Sequence, residues 1–327
     1  MAAYTGIQGQ NILIVSSDPS DPTEGQIWYN STTNLLKGYQ FAAVNAFAAG
    51  GNLNTARTDL AGSTAGTQTA SLAFGGEVPP NTGATESYNG TSWTSSPNSL
   101  NTPRRALGGA GTQTAALAFG AFPTSTATEL WNGTSWTSNP TGLNTARGIL
   151  TGCGIQTAAL AFGGLVNPPL SAATESWNGS SWTSVNSLNS ARYGLGGFGT
   201  QTSALAFGGN DDPLSASTEL WNGTSWTNNP TGLNTARSNL GGFGIQTAGV
   251  AFGGNLIPPT GLTNTELWNG SAWTNNPSGL GTGRRSTADS GSQTAGLTFG
   301  GNTGTANTAA TEEWTGSILQ TKTITTS

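Results

Sequence analysis

From about Leu53 onward, apolar side chains come in short bursts at period two, separated by Gly, Asn, Ser, Thr and Pro. Leu117 with Phe119, and Leu205 with Phe207, fall on one face of such a burst, the pattern of a short β-strand with two distinct faces. No stretch carries apolar residues at helical spacing, so leucine-rich and helical repeat architectures are excluded.

The bursts recur in step with three markers. Gln-Thr stands at Gln68, Gln113, Gln156, Gln201, Gln246 and Gln293, at intervals of 45, 43, 45, 45 and 47 residues. An arginine precedes each glutamine, at Arg57, Arg104, Arg147, Arg192, Arg237 and Arg284. A Thr-Glu pair ahead of an aromatic places Glu86, Glu129, Glu175, Glu219, Glu266 and Glu312. Six copies therefore run from about Leu53 to the C-terminus, and a period of roughly 40–50 residues belongs to propellers, solenoids or arrays.

Each copy predicts four strands. The first is the Gly-rich run after the arginine, such as Asn239–Gly244, whose small residues suit the crowded axis of a ring. The second is T-A-A-L-A-F-G-G, the third T-E-L-W and the fourth S-W-T. Asn-Gly separates the last two in five copies, at Asn89, Asn132, Asn178, Asn222 and Asn269, which predicts a tight hairpin with positive φ at both central residues. Thr315-Gly316 is a weaker version in the sixth. Paired tryptophans around the turn, Trp131 with Trp136 and Trp221 with Trp226, are large enough to fill the space between neighbouring sheets. Burial is worth roughly 2–3 kcal/mol for such a side chain.

The N-terminal region stands apart. Asn11–Val15 reads as a short apolar strand, and Gly25–Tyr39 as a hairpin turning at Ser31–Asn34. This arm, residues 1–40, is too small for its own core, so Ile27, Trp28, Tyr29, Leu35 and Leu36 need a partner: the ring, another copy of the chain or a different protein. Residues 41–327 form the ring. Asn45–Arg57 aligns with the end of a copy, with Ala46 at the tryptophan position. The C-terminal Ser317–Thr325, with Leu319 there, is an equal candidate for the ring-closing outer strand.

Composition narrows the chemistry. Only 8% of the 327 residues are charged and the net charge is −5, so no basic patch exists to neutralise phosphates and nucleic-acid binding is not expected. No apolar run approaches the roughly 20 residues of a membrane helix, and no Sec-type signal is visible, so a soluble chain without membrane insertion is expected. Cys153 reads as a small buried residue, because no histidine exists to activate it.

A glycine pair after the second strand, an acidic residue two before an aromatic, a tryptophan about five residues on and an arginine opening the next unit together resemble the kelch repeat of β-propellers. The resemblance covers roughly residues 41–327. It implies an all-β fold, a six-bladed propeller of four-stranded blades with a short N-terminal hairpin arm. Gly120-Ala121 in the second copy and Tyr88 in the first depart from the pattern. The segment D-P-T-E-G-Q-I-W-Y-N-S-T-T-N-L-L-K-G-Y-Q resembles hairpins in tail-fibre and other virion proteins of bacteriophages, especially marine ones.

The repeat arginines and glutamates, equal in number, suggest one ion pair per copy, within or between sheets, that holds register. Sialidase chemistry needs an arginine cluster free of such duties, a tyrosine nucleophile and an aspartic acid. Copper, zinc and histidine-based triads lack their histidines. No catalytic residue, cofactor or metal is expected, and Asp211-Asp212 reads as a solvated turn rather than a calcium site.

What differs between copies is the loop after the second strand. Pro79, Pro80, Phe122, Leu165, Val166, Asp211, Asp212, Leu256 and Ile257 lie there as candidate interaction residues, since loops on a rigid scaffold carry recognition. The expected function is a non-enzymatic virion protein of a phage, a fibre or an exposed capsid decoration. It would be assembled in the host cytoplasm, anchored by its arm to other virion proteins, oligomeric in the particle and presented to host glycan or receptor. The alternatives are a soluble carbohydrate-binding module and, remotely, a glycosidase.

Overall fold

The computed structural model describes residues 12–23, 25–42, 45–166, 168–257 and 260–324. Met1–Gly9, with Tyr4, and Asn11 lie outside them. All regular structure among the described residues is β, in seven four-stranded sheets. The chain divides into two compact units, Ala46–Thr315 and the pair Met1–Asn45 with Gly316–Ser327.

The larger unit holds six antiparallel sheets, a β-propeller-like architecture. Five are built from consecutive strands, such as Thr151–Ile155, Ala158–Phe162, Thr174–Trp177 and Trp182–Val185. The innermost strand of each sheet adjoins that of the next, and Ala288–Gly291 of the last adjoins Ala61–Gly62 of the first. Close approach explains the glycines: a Cβ on Gly109 would lie 2.4 Å from the carbonyl oxygen of Gly62.

A closed circle of backbone hydrogen bonds lines the axis. Ala106 N–H donates to the Asp59 carbonyl, Ile149 to Ala106, Gly194 to Ile149, Asn239 to Gly194, Ser286 to Asn239, and Asp59 to Ser286, at 2.6–3.1 Å. All six residues have φ between 49° and 58°, although one alone is glycine. That left-handed backbone is unfavourable for a β-branched residue such as Ile149, and the circle imposes it.

The repeated side chains form further circles. Gln156 Nε2 donates to the carbonyls of Ala116, at 2.9 Å, and Trp131, at 2.6 Å, in the preceding sheet. Gln68 does the same to Gly296 and Trp314, joining the first sheet to the sixth. The outer tryptophan of one sheet donates its indole N–H to the buried threonine of the previous one, as Trp182 does to Thr128 at 3.0 Å. Between the sheets these indoles pack on phenylalanines, Trp182 lying 4.9 Å from Phe119. The expectation of tryptophans as inter-sheet filling is met.

Ring closure falls to the N-terminal side. Ala46–Ala49 pairs with Thr311–Thr315 as the outer strand of the sixth sheet, and Ile318–Thr323 lies in the other unit. The register corrects one detail: Trp314 faces Phe47, so Phe47 rather than Ala46 takes the tryptophan position. Phe47 packs 5.0 Å from Trp314 and 5.4 Å from Phe252, but has no N–H for Thr265.

Two departures from the repeat meet at this seam. Tyr88 donates its hydroxyl to Glu313 of the neighbouring sheet, and burial, reinforced by that carboxylate, pushes the phenol up to about 12. Ser71 and Ser290 share a hydrogen bond of 2.6 Å close by.

The Asn-Gly turns also differ from expectation. Four residues, Asn132 to Ser135, connect Trp131 to Trp136, and only Gly133 has positive φ, at 94°. The Asn132 side-chain oxygen accepts the N–H groups of Thr134 and Ser135 at 3.0 and 2.9 Å, so the amide itself satisfies the turn. Thr315-Gly316 makes no such turn, because the fourth strand of its sheet comes from the other end of the chain.

In the smaller unit, Ile27–Asn30 and Leu35–Ala42 form the expected hairpin, with Asn30 opposite Leu35 and a turn at Ser31–Asn34. Leu13–Val15 adds in parallel on one side and Ile318–Thr323 antiparallel on the other. The C-terminal strand thus groups with the hairpin, where a sequence boundary at residue 40 put it with the ring. Trp28 and Leu36 are buried, Ile27 and Tyr29 half-buried, and Leu35 exposed. Asp18 accepts from Trp28 Nε1, Asn30 Nδ2 and Lys37 Nζ at 3.1, 2.8 and 2.6 Å. Those bonds, Lys37 foremost, lower its carboxyl to about 2.

Candidate functional site

The six repeat arginines are fully or almost fully buried, and each pairs with the glutamate of its own copy. In the third copy Arg147 Nη2 lies 3.1 Å from Glu175 Oε1. Arg147 also donates to the carbonyls of Gly163 and Ala173, at the two ends of the variable loop. Glu175 Oε2 accepts the Asn144 N–H at 2.7 Å, on the segment entering the copy. Burial lowers the guanidinium pKa, opposed by the partner's charge; for Arg57 it falls to about 10. These ions are spent on the scaffold: in the first, third and sixth copies the arginine reaches carbonyls at both ends of its loop.

The residue directly after each repeat arginine bridges to the first residue of the variable loop. Thr58 faces Glu77, Arg105 faces Phe122, Gly148 faces Leu165, Tyr193 faces Asn210, Ser238 faces Asn255 and Arg285 faces Asn302. Here the copies diverge, and the side chains stand at one mouth of the axial channel. A cavity of about 410 Å³ opens there, lined by Arg105, Arg285, Tyr193, Phe122, Glu77 and Asn302 among others. Its floor is the hydrogen-bonded circle, which also lines a narrower space of about 120 Å³ inside the ring.

The mouth is polar and largely tied together. Arg105 pairs with Glu77 and lies 5.1 Å over the Phe122 ring. Asn302 Nδ2 donates to Asn307 Oδ1 at 3.0 Å, and Asn307 Nδ2 to the Glu77 carbonyl at 2.9 Å. Asp59 is half-buried; burial raises its carboxyl, opposed by a hydrogen bond with Ser286 and the charges of Arg105 and Arg285. Deeper in the channel, Asp289 takes a place filled by glycine in the other five copies, at Gly62, Gly109, Gly152, Gly197 and Gly242. Its Oδ2 accepts the Gly242 N–H at 3.0 Å, while burial pushes the carboxyl up to about 7.

The structure gathers only some of the loop residues singled out from sequence. Phe122 and Pro79 line the cavity, and Pro80 lines an adjoining cleft with Arg105 and Pro123. Leu165 and Val166 are half-buried by their own loop, Val166 N–H donating to the Pro169 carbonyl at 3.0 Å. Leu256 and Ile257 are exposed, and neither they nor Asp211 and Asp212 line the cavity. Asp212 closes its turn by donating its N–H to Asn210 Oδ1 at 3.1 Å. Cys153 is buried, and burial pushes its thiol up to about 12, the condition of an inert structural cysteine.

Arg105, Tyr193 and Arg285 are the residues missed by sequence reasoning. The signal was available: Arg104-Arg105 and Arg284-Arg285 are doublets in which only the first arginine obeys the period.

No protein-family model matches the chain, and a search of curated proteins finds no similar sequence.

Proposed function

We propose that the chain is a non-enzymatic structural and recognition protein of a phage virion, a fibre component or exposed decoration. In this reading the larger unit is a six-bladed kelch-like propeller that displays its channel mouth, and the smaller unit joins it to other virion proteins. The observation that carries the reading is the division of labour among charged residues. All six repeat arginines are buried in ion pairs with repeat glutamates, while divergent residues collect at one mouth of a rigid ring. A stable scaffold with a variable face suits binding. The virion assignment rests on the likeness of the Asp21–Gln40 segment to phage virion hairpins.

The test is incorporation. A chain cut back to Ala46–Thr315 retains every strand of the six sheets, so it is expected to fold and to be missing from purified particles that contain the full chain. Absence of the full chain from particles, or incorporation of the truncated one, overturns the proposal.

A further inference from the structure

The lining of the channel mouth divides into groups already engaged and groups still open. Arg105, Glu77, Asn302 and Asn307 use one another. Asn239 donates to Asn255 Oδ1 at 2.9 Å. The Arg285 guanidinium and the Tyr193 hydroxyl line the same cavity, and neither has a side-chain hydrogen bond or ion pair among the described residues. Both are half-buried. Held in a walled cavity rather than in bulk water, a planar guanidinium is a preorganised fork for an anionic oxygen pair.

We infer that the channel mouth is a binding site for an acidic saccharide, whose carboxylate is taken by Arg285 and whose hydroxyls reach Tyr193 and the polar rim. The volume of about 410 Å³ suits one or two sugar rings rather than a folded partner. Arg105 pairs with Glu77, and Arg285 makes no ion pair among the described residues although its charge acts on Asp59 in the floor; with two cations against two acids, the mouth has no surplus of positive charge for a doubly charged group. Phe122 and Pro79 offer apolar surface for the C–H face of a sugar. The inference rests on the reading of the ring as a recognition module and names what it recognises.

The experiment is titration calorimetry of the full chain with oligogalacturonate and oligoalginate, with maltooligosaccharides as neutral and sulfated dextran oligomers as anionic controls. Saturable binding of at least one uronate oligomer is expected. Arg285→Ala should weaken it roughly 10- to 100-fold, as loss of a charge-assisted hydrogen bond implies, and Tyr193→Phe about 3- to 10-fold. Circular dichroism and the melting temperature establish that both variants fold. The proposal is overturned if the wild-type chain binds no uronate oligomer, if Arg285→Ala binds as tightly as wild type, or if neutral or sulfated oligomers bind equally well. Incorporation into particles is measured separately, so loss of the ligand proposal leaves the virion proposal standing, and the reverse.

Discussion

Arg284 and Arg285 are neighbours in sequence and opposites in use. The first is buried, 2.9 Å from Glu312, and identical in role to five other arginines around the ring. The second points into a cavity and has no counterpart in four of the six copies. Arg104 and Arg105 repeat the contrast. A belt of buried ion pairs therefore lies one residue behind the channel mouth, and the rigidity of the belt is what allows the mouth to vary. Charge repeated at the period belongs to the scaffold; of the two arginines that break it at the mouth, Arg105 pairs with Glu77 and Arg285 makes no ion pair among the described residues.

Truncating one member of the belt, as in Arg147→Ala or Glu175→Ala, should give the largest loss, about 3–5 kcal/mol by denaturant unfolding, because the other charge stays buried and unpaired. A loss no larger than that of an exposed substitution would erase the distinction between belt and mouth.

Asp289 tests a period-breaking residue inside the ring. Its carboxyl titrates at about 7 in the fold against 3.8 ordinarily. A raised acid leaves stability intact below the unfolded value and removes it as pH rises through the folded one. Asp289→Asn should therefore flatten the decline between pH 4 and 7 and, at pH 8, exceed wild type by on the order of 2–4 kcal/mol. Equal pH profiles for the two proteins would show that the carboxyl carries no such penalty.

Trp182→Phe copies the natural replacement at Phe47. It removes the indole bond to Thr128 and should cost about 1–2 kcal/mol, seen as a lower unfolding midpoint. Arg285→Ala sits at the small end, within about 0.5 kcal/mol of wild type. A larger change would mean that the mouth, too, is part of the scaffold.

The amino-acid sequence by itself determined the strands, their number per copy and the six-fold repetition, because these depend on period-two burial and on local turn chemistry. Leu117 and Phe119 face the core whatever else the chain does, and Asn132-Gly133 marks its turn from side chains within three residues. It also suggested one arginine–glutamate contact per copy, since each copy holds one of each at its repeat position, and the structure places that contact within the copy. Tertiary structure alone decided what depends on closing the circle. Ile149 adopts a left-handed backbone because its neighbours on both sides demand a hydrogen bond there. Tyr88 and Glu313 stand 225 residues apart in the chain and meet only where the first sheet reaches the sixth. Phe47 holds the tryptophan position because strand register, which short Gly-rich segments leave undetermined, is set by Thr311–Thr315. Arg105, Tyr193 and Arg285 became one site for the same reason: residues spread over 181 positions share a cavity only once six sheets surround one axis.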